Sequence, residues 1–196
     1  YKGLIGKPDI VITKYRIAVF CDSDFWHGYD WENRKSRIKS NQEYWIPKIE
    51  RNMKDIFELS KEIRSHYADK PDYWGLSTKY LITGNVLSQR YIHGNKIILD
   101  GGLNVLVGSG EKAETVMPRV STFDIVASGL NKAQCIFYAE SILSKEELVV
   151  VEQITIVNSS GTYLFSWGGE NSLPVKKYAS KDFCADTGNT LIWSIK

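Results

Sequence analysis

Cysteine is scarce in this chain of 196 residues, and its spacing excludes two kinds of site. Cys21, Cys135 and Cys184 are odd in number and form no CxxC pair, which argues against a disulfide framework and against a thiolate-rich zinc site. Without a disulfide framework, the default environment is a reducing one. We therefore expect a protein of the cytoplasm.

The chain also lacks long apolar runs and an excess of charge of one sign. No stretch approaches eighteen uninterrupted apolar residues, and no charged-then-apolar leader opens the sequence, so we expect no membrane span and no secretion. Lys and Arg total 25 against 23 Asp and Glu, so any contact with a polyanion must come from a local patch. The hydrophobic share of 43% is that of one ordinary domain or two small ones.

The N-terminal quarter predicts a hairpin, a loop and a helix, in that order. β-Branched and aromatic runs over Ile10 to Ile12 and Ile17 to Phe20, separated by a short polar pair, predict a β-hairpin. A basic stretch from Arg34 to Lys39 predicts a loop. Apolar residues then recur at three- and four-residue steps, so residues 43–65 are predicted to form one amphipathic helix.

After about residue 67 the sequence is typical of strands. Short apolar runs alternate with Gly, Ser and Asn turns at Lys96–Leu99, Leu103–Val107, Phe123–Ala127, Cys135–Tyr138, Leu148–Val157 and Thr162–Trp167. We place a boundary between an N-terminal core, 1–68, and a strand-rich region, 69–196, which is either a separate element or the remainder of one domain. The fold class is therefore α/β or α+β.

Acidic residues flank the predicted hairpin. Asp9 precedes the first strand, and Asp22 and Asp24 follow the second, so the hairpin would bring their carboxylates to a common end. Converging carboxylate oxygens suit Mg²⁺, and His27 is close enough in sequence to act there as a general acid or base. A metal ion beside an imidazole is typical of hydrolases. The alternative is that these acids only solvate the strand ends.

A close resemblance to the core of the very short patch repair endonucleases, in the PD-(D/E)xK nuclease superfamily, is carried by GKPDIVITKYRIAVFCDSDFWHG and NQEYWIPKIERNMKD. The resemblance runs from about Lys2 to Asp55. It implies a mixed sheet flanked by helices, as in restriction endonucleases. It also implies a Mg²⁺-dependent endonuclease that hydrolyses phosphodiester bonds of double-stranded DNA.

The resemblance gives roles to individual residues. It makes Asp9 a Mg²⁺-binding carboxylate, gives Cys21 a main-chain carbonyl ligand to the metal, and makes His27 the catalytic imidazole. Asp22 would line the site and Asp55 would be a further site carboxylate, although the helix motif that contains Asp55 is one residue shorter than in the family. The relatives carry another site acid on an earlier helix, which we expect to precede the first residue given. We expect no structural zinc, because Asp24 replaces one of its ligands.

The same resemblance predicts the contacts with DNA. Phe25 and Trp26, with Trp45 from the helix, would form an aromatic wedge that enters the base stack, although ordinary core packing explains aromatic residues too. Basic side chains would contact phosphates, or else form solvated surface; they are Arg34, Lys35, Arg37, Lys39, Lys48, Arg51 and Lys54.

The function expected is that of a cytoplasmic endonuclease in restriction-modification or DNA repair, cutting by a restriction-type or a mismatch-nicking mode. Residues 69–196 would then read the DNA bases. Two alternatives stay open: a catalytically inactive DNA-binding module, and an unrelated strand-rich binding protein. In the second half, Asp124 and Glu140 are expected at the surface, and His66 and His93 have no partners at metal-ligand spacing. The sequence does not indicate the oligomeric state.

Overall fold

The first described element is a short hairpin. The structure is a computed structural model that describes residues 10–19, 35–38, 42–99, 102–109, 121–140, 149–176 and 179–196. Strands β1 (Ile10–Ile12) and β2 (Ile17–Val19) pair antiparallel, with Ile10 opposite Val19. A 3-10 turn joins them, and Arg16 closes it with a left-handed backbone (φ 54°). The predicted hairpin is therefore confirmed.

The long helix α1 (Gln42–His66) confirms the helix predicted over residues 43–65. In its C-terminal half, Ile56, Leu59 and Ile63 are buried at three- and four-residue steps, whereas Lys54 and Lys61 are exposed. The buried side chains belong to the same hydrophobic core as the strands of the second half. The helix therefore extends from the N-terminal segment into the interior of the strand-rich region.

The strand-rich region forms one antiparallel sheet of seven strands among the described residues. Its order is β3-β4-β5-β6-β9-β7-β8, and every neighbouring pair is antiparallel. The strands are β3 (Ile92–His93), β4 (Lys96–Ile98), β5 (Asn104–Gly108), β6 (Phe123–Leu130), β7 (Val151–Asn158), β8 (Gly161–Ser166) and β9 (Asn189–Ile195). Two further helices accompany the sheet, α2 (Thr78–Thr83) and α3 (Lys132–Ala139).

One face of this sheet is the core. Because side chains alternate between faces along a strand, residues opposite one another on neighbouring strands form rows on the same face. One such buried row crosses five strands, through Val107, Ile125, Trp193, Ile154 and Phe165. Trp193, on the central strand β9, is 1% exposed. The sheet is therefore covered on this face, where α1 also contributes side chains to the core.

A disulfide between Cys135 and Cys184 corrects the expectation drawn from the cysteine count. The two Cα atoms lie 6.0 Å apart although the residues are 49 apart in sequence. Cys135 lies on α3 and Cys184 follows the 3-10 turn Ala179–Asp182, which packs beside that helix. An odd count and the lack of CxxC spacing say nothing about which cysteines the fold brings together, and for this reason the expectation was wrong.

The segment Cys135–Tyr138 is also a correction, because it is helical and not a strand. Helix α3 begins with a capping box: Asn131 Oδ1 accepts the backbone N–H of Gln134 at 2.9 Å, and Gln134 Oε1 accepts that of Asn131 at 3.1 Å. This reciprocal pair satisfies two backbone donors that the first helical turn leaves open. The apolar run is continuous because most of this short helix is buried, and a continuous run does not distinguish a strand from a buried helix.

The other strands predicted in the second half are confirmed, and the described residues form an α+β structure with a strand-rich second half. Strand β9 was missed, although it lies between β6 and β7 in the sheet. The mixed sheet of the PD-(D/E)xK type is not among the described residues and stays a prediction. Within the part of the chain that the structure describes, no helix is both long and apolar enough to cross a membrane.

Candidate functional site

Most residues of the predicted nuclease site lie outside the described part of the chain. This holds for the metal ligands Asp9 and Cys21, for Asp22 and for His27. It also holds for predicted DNA contacts at Phe25, Trp26, Arg34 and Lys39. Their assignments stay predictions.

The register of the hairpin agrees with the premise of that site. Ile10 pairs with Val19, so the chain enters β1 and leaves β2 at the same end of the hairpin. Asp9 immediately precedes Ile10, and Cys21 comes two residues after Val19. The opposite end, around Tyr15, carries exposed side chains. The described strands thus have the pairing from which the metal site was predicted.

Two of the predicted phosphate contacts lie beside the start of α1. Lys35 and Arg37 are exposed on a 3-10 turn, and the next residue, Ile38, is buried. The carbonyl of Ile38 accepts a hydrogen bond of 2.7 Å from Gln42 Nε2 in the first turn of α1. The predicted contacts Trp45, Lys48 and Arg51 lie on α1, but their side chains are outside the description. Lys54 is exposed on the same helix.

Asp55 occupies a different environment from a substrate-facing acid, since it is 1% exposed and faces the interior of the second half. Its charge acts on the phenol of Tyr91, which is itself fully buried. Burial raises the pKa of Tyr91 well above its usual value, and the nearby carboxylates of Asp55 and Glu62 raise it further, while Arg90 opposes them. Arg90 also donates a hydrogen bond to the Tyr91 hydroxyl. The catalytic role of Asp55 stays a prediction, and its burial weighs against that role.

An exposed cluster of polar side chains at the end of α1 was missed by the sequence reasoning, which considered His66 only as a metal ligand. His66 Nε2 lies 3.0 Å from the Tyr80 hydroxyl and 2.9 Å from Lys70 Nζ. The ammonium of Lys70 also lies 4.2 Å from the ring centroid of Tyr67, a cation–π contact. The spacing of four residues between His66 and Lys70 was the available signal, because residues at this spacing can meet on one side of a helix.

The remaining acids predicted at the surface have separate partners. Asp124 Oδ1 accepts a hydrogen bond of 2.7 Å from Ser194 on the neighbouring strand. Glu140 Oε1 accepts two bonds from Ser180, from its backbone N–H at 3.0 Å and its hydroxyl at 2.6 Å. Among the described residues there is no group of three or more His, Cys, Asp or Glu that could hold a metal ion.

Comparison with known proteins identifies the N-terminal segment. Residues 1–33 match the model of the family described as DNA mismatch endonuclease Vsr. This segment is Vsr-like. The match includes Asp9, Cys21, Asp22 and His27, and it confirms the resemblance inferred from the sequence motifs.

Curated relatives of the Vsr-like segment are described as type II nicking enzymes. V.NmeDIP of Neisseria meningitidis serogroup C is 51% identical over 62 residues, which are 32% of this chain and 42% of that protein. V.HpaIIP of Haemophilus parainfluenzae is 52% identical over 52 residues, 26% of this chain and 37% of that protein. The chain therefore spans less than half the length of these relatives.

One solved structure is similar to a larger part of the chain. TcpA, a type IV pilin from Vibrio cholerae El Tor biotype, aligns with a TM-score of 0.48 and 11% identity, over 72% of this chain and 95% of that chain. This similarity is too slight to establish a shared fold. The Vsr-like segment thus remains the part of the chain with a clear relationship to known proteins.

Proposed function

We propose that the chain acts as a Mg²⁺-dependent endodeoxyribonuclease that cuts double-stranded DNA, by a restriction-type or a mismatch-nicking mode. The observation that carries this proposal is the match of residues 1–33 to the Vsr family, supported by nicking enzymes about half identical to this chain over the aligned residues. The reaction is the hydrolysis of a phosphodiester bond. The core would have the PD-(D/E)xK arrangement implied by its motifs.

The donor set of the proposed site fits magnesium. Asp9 would supply a carboxylate oxygen and Cys21 a main-chain carbonyl oxygen, which are the hard ligands that Mg²⁺ prefers. The antiparallel pairing of β1 with β2, with Ile10 opposite Val19, supports this pair, because the two positions then adjoin one end of the hairpin. When bound, the ion would polarise the scissile phosphate and offset its charge.

The other residues of the proposed site would move protons and hold the substrate. His27 would take a proton from the attacking water or give one to the leaving oxygen, and Asp22 would line the site beside it. The buried Asp55 is the weakest member of the set, since its carboxylate faces the hydrophobic core and not a solvent-filled cleft.

Contacts with the duplex would come from aromatic and basic side chains. Phe25, Trp26 and Trp45 would enter the base stack, because flat apolar side chains can wedge between base steps. The exposed Lys35 and Arg37, beside the start of α1, are suited to phosphate contacts, and the other basic residues of the segment would extend that surface.

The compartment is a separate matter. The cytoplasmic location expected from the cysteine count stays a prediction, and the disulfide between Cys135 and Cys184 weighs against it, since such bonds persist mainly in oxidising compartments. The nuclease proposal does not depend on the compartment, because the proposed site contains neither of these two cysteines.

A nicking assay tests the proposed function. The full chain should convert supercoiled plasmid to the open-circular or linear form with Mg²⁺ and not with EDTA. Asp9→Ala should reduce the rate by roughly 100-fold or more, because a bound metal ion contributes several kcal/mol of transition-state stabilisation. Asp69→Ala, which removes an exposed acid outside the Vsr-like match, is the matched control and should cut as the parent does. Equal rates for Asp9→Ala and Asp69→Ala would contradict the proposal.

A further inference from the structure

A triangle of hydrogen-bonding groups lies where α1 ends and α2 begins. It consists of His66, Lys70 and Tyr80, called the donor triad below. The distances are 2.9 Å from Lys70 Nζ to His66 Nε2, 3.0 Å from that nitrogen to the Tyr80 hydroxyl, and 3.5 Å from Nζ to the hydroxyl. Lys70 and Tyr80 are exposed and His66 is half-buried, so a ligand from solvent can reach the triad.

The donor triad has more protons to donate than its own atoms can accept. The ammonium has three N–H groups and the phenol one O–H, whereas Nε2 of His66 has at most one lone pair. Lys70 and Tyr80 therefore compete for the same acceptor. An anion with several oxygens removes this competition, since it can accept from the ammonium, from the phenol and from His66 in the tautomer that carries its proton on Nε2.

The cation of the triad is held in place before any ligand arrives. Lys70 Nζ lies 4.2 Å from the ring centroid of the buried Tyr67. The Tyr67 ring packs 5.3 Å from that of Tyr73, which lies 4.8 Å from Phe123 on β6. This aromatic series connects the ammonium to the core of the sheet. A lysine fixed in this way loses less side-chain entropy on binding than a free surface lysine does.

We propose that the donor triad binds a phosphate group, and that this phosphate belongs to the backbone of the DNA duplex on which the Vsr-like segment acts. The second part of this assignment rests on the proposed function. Phosphate offers several acceptor oxygens and the negative charge that an ammonium selects. The strand-rich half thereby contributes to DNA binding through the end of α1.

The geometry of α1 supports a shared duplex. Positions 48 and 66 lie eighteen residues apart, which is five complete helical turns, so both positions are on the same side of the helix axis. Their separation along that axis is about 27 Å. This length corresponds to roughly eight base pairs of duplex, so one DNA segment can extend from the predicted contact at Lys48 to the donor triad.

Equilibrium binding of a labelled duplex to the full chain tests the proposal. Lys70→Gln should weaken binding about 3- to 10-fold at low salt and reduce the slope of log K against log salt by about 1, as the loss of one phosphate contact requires. Tyr80→Phe should weaken binding in the same direction. Lys61→Gln removes an equal charge from an exposed site on α1 that faces away from His66, and should leave the slope unchanged. Equal effects of Lys70→Gln and Lys61→Gln would overturn the assignment to DNA.

Inorganic phosphate, followed by NMR at the His66 and Tyr80 ring protons, distinguishes the source of the phosphate. Saturable shifts that Lys70→Gln abolishes support the site itself, and no shifts together with unchanged duplex binding would overturn it. Saturable shifts without an effect of Lys70→Gln on duplex binding would identify a free phosphate as the ligand. A chain that fails to nick DNA but shows the Lys70-dependent salt slope would contradict the proposed nuclease and leave the phosphate site standing.

Discussion

The side chain of Asn189 holds together three parts of the second half. Its Oδ1 accepts the backbone N–H of Ala185 at 2.8 Å and Nδ2 of Asn158 at 3.0 Å. Its own Nδ2 donates to the carbonyls of Leu130 and Ala185, at 3.0 and 2.7 Å. Because the amide is fully buried, each of these groups depends on it and not on water.

Replacing Asn189 by Ala should therefore be costly. We expect the free energy of unfolding to fall by about 3 kcal/mol, because buried donors and acceptors lose their partners and a small cavity forms. Urea denaturation followed by the fluorescence of the chain measures the change. Asn104→Ala, at an exposed position on β5, is the control and should change stability by less than about 0.5 kcal/mol. A similar small loss for Asn189→Ala would contradict this account of the network.

Residues of this kind show what the sequence could not predict. Asn189 is one asparagine among many, and its partners come from β6, β7 and the segment before β9, so no local pattern marks it. The same is true of Cys135 and Cys184, whose contact depends on how α3 and the turn Ala179–Asp182 pack. In contrast, the hairpin and the Vsr-like motifs are local in sequence, and they were predicted from it.

At the scale of elements, the signal that succeeded was periodicity. It defined α1 almost to the residue, and it identified strands whose inward side chains alternate with outward ones. It failed for α3, where a mostly buried helix of eight residues has no polar side to reveal its period. The interior position of β9 in the sheet could not be inferred either, because antiparallel order depends on contacts between strands far apart in the chain.

The packing of α1 yields a prediction at this scale. Ile63→Ala should lower the free energy of unfolding by about 3 kcal/mol, since the side chain is fully buried in the core shared with the sheet. Lys61→Ala, on the exposed side of the same helix, should change it by less than about 0.5 kcal/mol. Thermal and urea unfolding of both variants provide the test. Equal stability of the two variants would mean that α1 is not part of the core.

At the scale of the whole molecule, α1 connects a Vsr-like segment to a region with a different architecture. The boundary predicted near residue 68 stays a prediction. The hydrophobic core nevertheless includes α1 residues from Ile56 to Ile63 as well as Tyr67, and Glu62 accepts two hydrogen bonds of 2.7 Å from Ser88. The C-terminal half of α1 is thus bonded to the strand-rich region. A change in the tilt of this helix would therefore be felt in both parts of the chain.

The disulfide tests how the strand-rich region depends on its surroundings. Cys135 and Cys184 close a loop of 49 residues, and a crosslink of that span stabilises a fold by about 4 kcal/mol when it acts by restricting the unfolded chain. The double variant Cys135→Ser, Cys184→Ser should lose that amount in urea denaturation without reductant. The parent should lose a similar amount when a reductant is added, whereas the double variant should not respond to it. If the parent keeps its full stability after complete reduction, this half of the chain does not need an oxidising compartment, and the cytoplasmic location becomes compatible with its fold.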